Sequence, residues 1–284
     1  MEGSDLASPA PAPAKSDLPT RFAAAVAMIA VALAAVYLGG WVFRLLVVAA
    51  AAVMLIEWSD MHRVPRLWGY VGAALLAIAL VTLSEYLFPV EDLEPEVTPA
   101  SFHPVWPAVG ALAISGAVLA LLARRFAMFA GYLYVGIPAF ALIVLAWFDY
   151  AWPGIVFWVM IVTWSTDSFA YFAGRSIGGP KLAPRISPSK TWSGLVGGII
   201  GAELMGFLVA GFFGLGSPFL YVGGFMGLVA QGGDLFESWL KRRAGVKDSG
   251  TILPGHGGAL DRLDGFLPVI LVTLAILMLG LWTG

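Results

Sequence analysis

The stretch AMFAGYLYVGIPAFALIVLAW, residues 127–147, contains no charged side chain. A helix of about 20 apolar residues is long enough to cross the hydrocarbon core of a bilayer. Similar apolar runs recur along most of the 284-residue chain, which is 60% hydrophobic and only 12% charged. A soluble domain carries about 25% charged residues. The sequence therefore predicts an all-α, polytopic helical membrane protein.

Several other classes of protein and site are excluded by the same composition. The alternation of apolar and polar residues that is typical of membrane-spanning β-strands is missing from the sequence. The chain has no cysteine, which excludes disulfides, thiolate metal sites and cysteine nucleophiles. Its net charge of −2 says little about partners.

About nine spans are predicted from the apolar runs. They are residues 22–40, 41–58, 68–86, 105–122, 127–147, 153–172, 194–213, 217–233 and 266–283. The first two are separated only by the Gly39–Gly40 break, and the eighth is short and rich in glycine. Residues 1–20, which are polar and rich in proline and alanine, are predicted to be a disordered tail.

The basic residues predict the orientation of the spans. Lysine and arginine in short loops stay on the cytoplasmic side of a membrane. With nine spans, every basic residue except Arg44 falls on one side, and the acidic loop 91–104 falls on the other. The N-terminus is therefore expected in the cytoplasm and the C-terminus outside.

The segment QGGDLFESWLKRR, residues 231–243, places Asp234, Ser238 and Lys241 on one helical face. An amphipathic helix end at the membrane surface would explain the basic residues. It would not explain Asp234, because an ionisable group close to membrane depth is costly and is functional by default.

The segment ALDRLDG, residues 259–265, places two more carboxylates on one helical face, those of Asp261 and Asp264. Two such carboxylates repel each other unless a cation lies between them. Together with Asp234 they form an oxygen ligand set suited to Mg²⁺. The alternative is that one aspartate caps the helix while the other is solvated. The two interpretations are even for this pair alone, and the charged residues around it favour the metal.

The GHGG run at residues 255–258 follows Pro254 and permits tight turns. Backbone N–H groups in such a loop can bind phosphate oxygens. A lone histidine is more often a packing residue than a catalyst. The three histidines of the chain are scattered, which argues against a histidine zinc site.

The loop GRSIGGPKLAPRISPSKTWSG, residues 174–194, is basic and rich in hydroxyl groups. It fits an ordinary cytoplasmic loop in which Ser193 caps the next span. It also fits a phosphate clamp in which Lys190 supplies a point charge and hydroxyls donate hydrogen bonds. Asp167 and Glu203 lie inside apolar spans, where either could pair with a basic residue or line a polar cavity.

The segment SWLKRRAGVKDSGTILPGHGGALDRLDG, residues 238–265, resembles the signature of the phosphatidate cytidylyltransferases, or CDP-diacylglycerol synthases. The pattern is a serine, then Lys-Arg, Lys-Asp, His-Gly-Gly and Asp-Arg-x-Asp. The upstream runs DSFAYFAGRSIGG and SPSKTWSG resemble the same family in the same order. Specific resemblance covers about residues 165–265, and the first 150 residues resemble the family only as apolar spans.

The resemblance implies transfer of CMP from CTP to phosphatidic acid, giving CDP-diacylglycerol and pyrophosphate in phospholipid biosynthesis. The expected catalytic residues are Lys241, Arg242, Lys247, Asp248, His256 and Arg262. The expected substrate-binding residues are Asp167, Ser187, Ser189, Lys190, Thr191, Ser238, Gly257 and Gly258. The expected metal ligands are Asp234, Asp261 and Asp264.

Mg²⁺ is the expected cofactor, and a second cation stays open. The expected partners are CTP, phosphatidic acid and membrane lipids but no nucleic acid, and a homodimer stays open. The expected location is the bacterial inner membrane, with the active site facing the cytoplasm. Residues 21–150 would form N-terminal transmembrane helices, and residues 151–284 a catalytic transmembrane domain with cytoplasmic loops.

Three other functions would each explain part of the same sequence. A CTP-dependent polyprenol or lipid kinase would share the nucleotide but transfer its γ-phosphoryl group. A CDP-alcohol phosphotransferase would show an Asp-Gly-x-x-Ala-Arg run, which the sequence lacks. A secondary transporter would explain the spans with Asp167 and Glu203, but inverted repeats with interrupted helices are not evident in the sequence.

Overall fold

The computed structural model describes residues 18–89, 99–148, 154–250 and 257–280. Its helices are α1 Leu18–Leu38, α2 Gly40–Met61, α3 Arg66–Leu87, α4 Val105–Ala123, α5 Phe126–Phe148, α6 Gly154–Ser176, α7 Trp192–Phe213, α8 Ser217–Tyr221, α9 Gly223–Ala244, α10 Leu260–Leu263 and α11 Phe266–Met278. A single turn of 3-10 helix, Pro99–Phe102, precedes α4. The prediction of a helical membrane protein is confirmed.

Six of the helices, α2 to α7, are long and apolar enough to cross a membrane. Shorter apolar stretches occur at Ala23–Leu38 and Phe266–Met278. The predicted break between the first two spans is also present, because Gly39 and Gly40 have φ angles of 58° and 48°. Glycine adopts such angles without a steric penalty.

The predicted eighth span, 217–233, does not form one helix. The chain forms the short α8, turns at Val222, and then continues as α9 to Ala244. Glu203 of α7 stabilises the start of α9, because its carboxylate accepts a 2.6 Å hydrogen bond from the backbone N–H of Gly224. The structure thus gives this intramembrane acid a helix-capping contact.

The basic loop before α7 contains a hairpin that the all-α prediction missed. Strands β1 Lys181–Ala183 and β2 Ser187–Thr191 pair antiparallel, with Lys181 opposite Thr191 and Ala183 opposite Ser187. The turn is closed by a hydrogen bond from Ile186 N–H to Ala183 C=O. Pro184 occupies the second position of this turn, where its fixed φ favours the turn geometry.

Close packing of α6 against α7 positions this hairpin. A Cβ atom at Gly198 of α7 would lie 2.9 Å from the carbonyl oxygen of Thr166 on α6. Only glycine permits so close an approach of the two backbones. The glycine-rich face of α7 therefore brings the C-terminal end of α6 beside the start of α7 and the hairpin before it.

Arg44, which did not follow the distribution of the other basic residues, is buried at the start of α2. Its guanidinium donates a 2.5 Å hydrogen bond to Glu85 and a 2.7 Å bond to the carbonyl oxygen of Phe88. A buried arginine with both partners satisfied is a structural element of the bundle. It carries little weight as a signal of membrane orientation.

Candidate active site

A polar pocket of about 310 Å³ lies between α6, the hairpin, the start of α7 and α9. It brings together five residues predicted from the sequence: Asp167, Ser189, Lys190, Thr191 and Asp234. It also contains polar residues that the sequence analysis did not single out, namely Tyr171, Arg175 and Gln231. Segments separated by more than 60 positions along the chain thus meet in one pocket.

Lys190 is held on one wall of this pocket by α9. Its ammonium lies 2.5 Å from Asp234 Oδ2 and donates a 3.0 Å hydrogen bond to Gln231 Oε1. The other carboxylate oxygen of Asp234 accepts a hydrogen bond from Ser238, at 3.3 Å. Asp234 and Ser238 therefore lie on one face of α9, as the sequence predicts.

The hydroxyl groups of the basic loop have different environments. Ser189 lines the pocket. Thr191, which is buried, is the N-cap of α7 and accepts a 3.1 Å hydrogen bond from the N–H of Gly194. This cap was assigned to Ser193 in one reading of the sequence, whereas Ser193 donates to the carbonyl oxygen of Gly178. Ser187 begins β2 and is half-buried.

A second polar cluster lies at the end of α9. Lys241 forms ion pairs with Glu237 at 2.5 Å and with Asp261 at 2.7 Å. Glu237 is fully buried, and the sequence analysis missed it. Its spacing of four residues from Lys241 was an available signal, because such pairs face each other on a helix. Lys241 thereby joins α9 to the segment that contains Asp261.

Asp261 holds the loop that precedes α10. Its carboxylate accepts hydrogen bonds from the N–H groups of Ser249 at 2.9 Å and Gly258 at 2.8 Å, besides the bond from Lys241. Burial alone would raise the pKa of Asp261, but the bonds from Lys241, Gly258 and Ser249 outweigh it and lower the pKa. The charged form of Asp261 therefore stabilises this loop.

Asp264 has the opposite electrostatic environment. Burial raises its pKa well above the ordinary range, and the nearby carboxylates of Asp234, Glu237 and Asp167 raise it further. Its hydrogen-bond donor is the N–H of Gly265, at 2.6 Å. Asp264 thus lies near enough to Asp234 for the two negative charges to repel each other.

A preformed cage of three acidic or histidine ligands is not found within the described ranges. Asp234 is paired with Lys190, and Asp261 is bonded to Lys241 and the loop. Asp234 and Asp264 fit a divalent cation, because carboxylate oxygens are the ligands that Mg²⁺ prefers and Asp234 can exchange its partly solvated pair with Lys190 for a cation. Asp261 fits it less well, since both of its oxygens already accept hydrogen bonds.

The other predicted residues lie around these two clusters. Arg242 is exposed and directs its Nε toward the carbonyl oxygen of Ile186 in the hairpin, at 3.4 Å. Lys247 and Asp248 are exposed on the bend after α9. His256 lies outside the described residues. Gly257 has φ +84°, which disfavours any side chain.

An apolar cavity of about 160 Å³ lies between α1, α2, α5, α6 and α11. Its wall is formed by aliphatic and aromatic side chains such as Phe43 and Ile270. Three charged residues, Asp167, Arg262 and Asp264, also line it. Asp167 lines the polar pocket as well, so the two cavities lie next to each other.

Comparison with known proteins shows the family of this chain. Residues 19–279 match the model of the cytidylyltransferase family. This chain belongs to that family. The match extends well beyond residues 165–265, so the N-terminal helices are also part of the family's common structure.

Relatives of this cytidylyltransferase are named phosphatidate cytidylyltransferase. The protein of Brucella suis biovar 1 is 37% identical over 267 residues, which cover 89% of this chain and 90% of the relative. The protein of Bacillus subtilis is 49% identical over 118 residues, covering 40% of this chain and 44% of the relative. The protein of Rickettsia felis is 44% identical over 115 residues, covering 37% and 51%.

The N-terminal helices contribute Glu57, a residue that the sequence analysis missed. Its side chain lies on α2, is 2% exposed, and accepts hydrogen bonds from the loop before α10. The available signal was an acid near the end of the apolar run VVAAAAVMLIEW, residues 47–58. Intramembrane acids are functional by default, and the argument made for Asp167 applied here too.

Proposed function

We propose that this cytidylyltransferase transfers CMP from CTP to phosphatidic acid, forming CDP-diacylglycerol and pyrophosphate. The observation that carries the proposal is the position of Asp167, which lines both the polar pocket and the apolar cavity. A water-soluble nucleotide and a membrane lipid need two such cavities in contact. The names of the relatives point to the same reaction.

The polar pocket is proposed to bind the nucleotide. Lys190 and Arg175 supply positive charge, and Ser189 supplies a hydroxyl donor. A lipid phosphate oxygen would attack the α-phosphorus of CTP, and the bond to the departing pyrophosphate would break. This displacement needs no protein nucleophile. It needs alignment of the two phosphates and fixed positive charge where negative charge develops.

The apolar cavity is proposed to hold the part of the lipid next to its phosphate. Its aliphatic lining suits a hydrocarbon chain, and its small volume accommodates only a portion of one chain. Arg262 lies at its polar end. A guanidinium there can form two parallel hydrogen bonds with a phosphate.

A magnesium ion is proposed to bind between the two cavities, with Asp234 and Asp264 as its protein ligands. The support is that Asp234 lines the polar pocket and Asp264 lines the adjoining apolar cavity, with their carboxylates near each other. When bound, Mg²⁺ neutralises the charge of the nucleotide phosphates. The prediction that Asp261 is a third ligand stays a prediction, and so does the number of cations. Asp261 would have to give up bonds to its loop in order to join them.

The remaining predicted catalytic residues are proposed to act around this centre. Lys241 orients Asp261 and neutralises Glu237. The exposed side chains of Arg242 and Lys247 would contact the triphosphate at the mouth of the site, and a catalytic role for Asp248 is proposed from the family signature alone. A catalytic role for His256 is proposed from the family signature alone.

The proposed site faces the cytoplasm of a bacterial inner membrane, with nine spans and a cytoplasmic N-terminus. The support is the distribution of basic residues, of which the outlier Arg44 is explained by its buried pair with Glu85. A homodimer stays a prediction.

The deciding experiment follows the phosphorus atoms of CTP. Purified protein is incubated with phosphatidic acid, Mg²⁺ and CTP that carries label at either the α- or the γ-phosphate. We expect the α-label in the lipid and pyrophosphate in solution. Transfer of the γ-label would show a lipid kinase instead. If neither the α-label nor the γ-label enters the lipid, the proposed reaction is wrong.

A further inference from the structure

Glu57 joins the N-terminal half of the chain to the C-terminal signature. Its Oε1 accepts a 2.9 Å hydrogen bond from the N–H of Ala259, and its Oε2 accepts a 2.9 Å bond from the N–H of Leu260. The hydroxyl of Ser249 donates to Oε2 at 3.4 Å. A carboxylate that accepts two backbone N–H groups in this way does what a helix-capping side chain does. Here the capping residue lies about 200 positions away in sequence.

Burial makes this contact specific. Glu57 is 2% exposed, and among the described residues its side chain accepts hydrogen bonds from Ser249, Ala259 and Leu260. A buried carboxylate is costly unless hydrogen bonds compensate the loss of water. The side chain and the loop therefore need each other, because the loop supplies the donors and Glu57 supplies the acceptor.

Two glycines of the loop are explained by the same carboxylate. A Cβ atom at Gly250 would lie 2.6 Å from Glu57 Oε1, and a Cβ atom at Gly258 would lie 2.6 Å from Oε2. Contacts this short do not occur between a real Cβ and an oxygen. The sequence suggested that the glycines of the GHGG run, residues 255–258, permit tight turns and backbone contact with a ligand, and at Gly258 the group approached is Glu57.

The loop that Glu57 holds carries the proposed chemistry. Leu260 is the first residue of α10, and the next residues are Asp261 and Arg262, followed by Asp264. These residues point their charges toward the substrates only if the start of α10 is fixed. A displacement of about 1 Å in such a group can cost roughly 100-fold in rate.

We propose that Glu57 is a positioning residue for the transfer reaction, holding the start of α10 through the N–H groups of Ala259 and Leu260. This inference rests on the proposed function. It assigns an active-site role to α2, which the sequence analysis treated only as an apolar span. Glu57 acts through the loop and is not among the residues that line the proposed nucleotide pocket.

Glu57→Gln tests the proposal with minimal change of shape. One carboxylate oxygen becomes an NH₂ group, which then faces the N–H of Ala259 or Leu260, so one bond is lost. We expect kcat to fall about 10- to 100-fold, with the KM for CTP changed less than threefold and unchanged yield of folded protein in detergent. Asp60→Asn is the matched control, since Asp60 lies on the same helix but is exposed. It should keep wild-type kinetics.

The position of the loop is measured separately from activity. The chain has no cysteine, and Ser249 is 5% exposed, so Ser249→Cys introduces a single buried thiol. We expect this thiol to react slowly with a maleimide, and faster when Glu57→Gln is added. An unchanged labelling rate would show that Glu57 does not hold the loop and would overturn the proposal.

Other outcomes are equally decisive. If Glu57→Gln keeps kcat within threefold, or loses activity only in proportion to the folded fraction, Glu57 is a scaffold residue and the proposal is wrong. If that variant does not fold, Gly250→Ala replaces it, because the three atoms nearest to its Cβ would all belong to Glu57. Gly250→Ala should lower kcat similarly, and normal kcat would overturn the proposal. A wild-type protein that forms no CDP-lipid refutes the proposed function, while the labelling rates still test the loop.

Discussion

The ammonium of Lys190 lies 2.5 Å from Asp234 Oδ2, so an ion pair joins the hairpin after α6 to the middle of α9. The side chains of both partners are partly accessible, at 15% and 29% exposure. A partly solvated pair can exchange partners at small cost, because its net contribution to stability is about 0–1 kcal/mol. A phosphate bound in the polar pocket can therefore replace Asp234 as the ion-pair partner of Lys190.

Loss of the Lys190 charge should strongly impair the reaction. Lys190→Ala removes a fixed positive charge from the polar pocket and leaves Asp234 without its partner. We expect turnover of CTP to fall roughly 10²- to 10³-fold, the usual cost of removing one group that stabilises developing charge. Steady-state kinetics with purified protein measures this.

Lys181→Ala is the control for this prediction, because Lys181 lies in the same hairpin and is exposed. It should stay within twofold of the wild type. Turnover of Lys190→Ala within a few-fold of the wild type would mean that the basic loop serves membrane orientation only.

Removal of the Arg262 guanidinium should weaken binding of the lipid. Arg262 lines the polar end of the apolar cavity, where the proposed lipid phosphate lies. Hydrogen bonds to a charged group are worth about 1.5–3 kcal/mol, so Arg262→Ala should raise the KM for phosphatidic acid roughly 10-fold or more. The KM for CTP should change less.

Arg243→Ala provides the comparison, since Arg243 lies outside both cavities and stacks on Trp239 with its guanidinium carbon 5.4 Å from the ring centre. Its kinetics should match the wild type. An Arg262→Ala variant that affects CTP and lipid equally would argue against the assignment of the apolar cavity to the lipid.

The helices were predictable from the sequence, whereas the contacts between them were not. Length and hydropathy located α2 to α7, because a membrane span needs only an apolar run. The same rule misplaced the eighth span, since the polar half of α9 lowers its hydropathy although the helix continues to Ala244. The hairpin escaped notice because a two-stranded element of three and five residues has almost no periodic signal.

The residues of the candidate site also divide into those that the sequence predicts and those that only the fold brings together. Local spacing found Asp234 with Ser238, and the family signature found Asp261 with its loop. Glu57 and Glu237 were missed because their roles depend on partners that the fold brings together. The sequence also predicted that Asp234, Asp261 and Asp264 share one cation. The structure shows that Asp261 accepts hydrogen bonds from Lys241 and backbone donors, and its role as a metal ligand stays a prediction.

Cysteine labelling should establish the orientation of the membrane spans. Lys181 lies in the hairpin beside the proposed site, and Glu94 lies in the acidic loop, outside the described residues. A cysteine at position 94 should react with an impermeant maleimide on intact cells, and one at position 181 only after permeabilisation. The reverse pattern would place the proposed site on the side that lacks CTP.

The metal assignment predicts that substitutions of Asp234, Asp261 and Asp264 differ in their effect on the Mg²⁺ requirement. Asp234→Asn and Asp264→Asn remove proposed ligands, so both should nearly abolish turnover and raise the Mg²⁺ concentration needed for any residual activity. Asp261→Asn should also lower turnover, because it weakens the bonds to Ser249, Gly258 and Lys241. If Asp261 serves the loop, its variant should keep the wild-type Mg²⁺ requirement.

Mg²⁺ titrations of the three variants, each with saturating CTP and phosphatidic acid, separate these roles. Magnesium should also protect the wild-type protein against thermal unfolding, because a ligand that binds only the folded state stabilises it. This protection should be lost in Asp264→Asn and kept in Asp261→Asn. Equal Mg²⁺ shifts in all three variants would make Asp261 the third ligand, as the sequence predicts. An Asp264→Asn variant with normal turnover and normal Mg²⁺ dependence would show that the repulsion around Asp264 is not relieved by a cation, and the metal site would have to lie elsewhere.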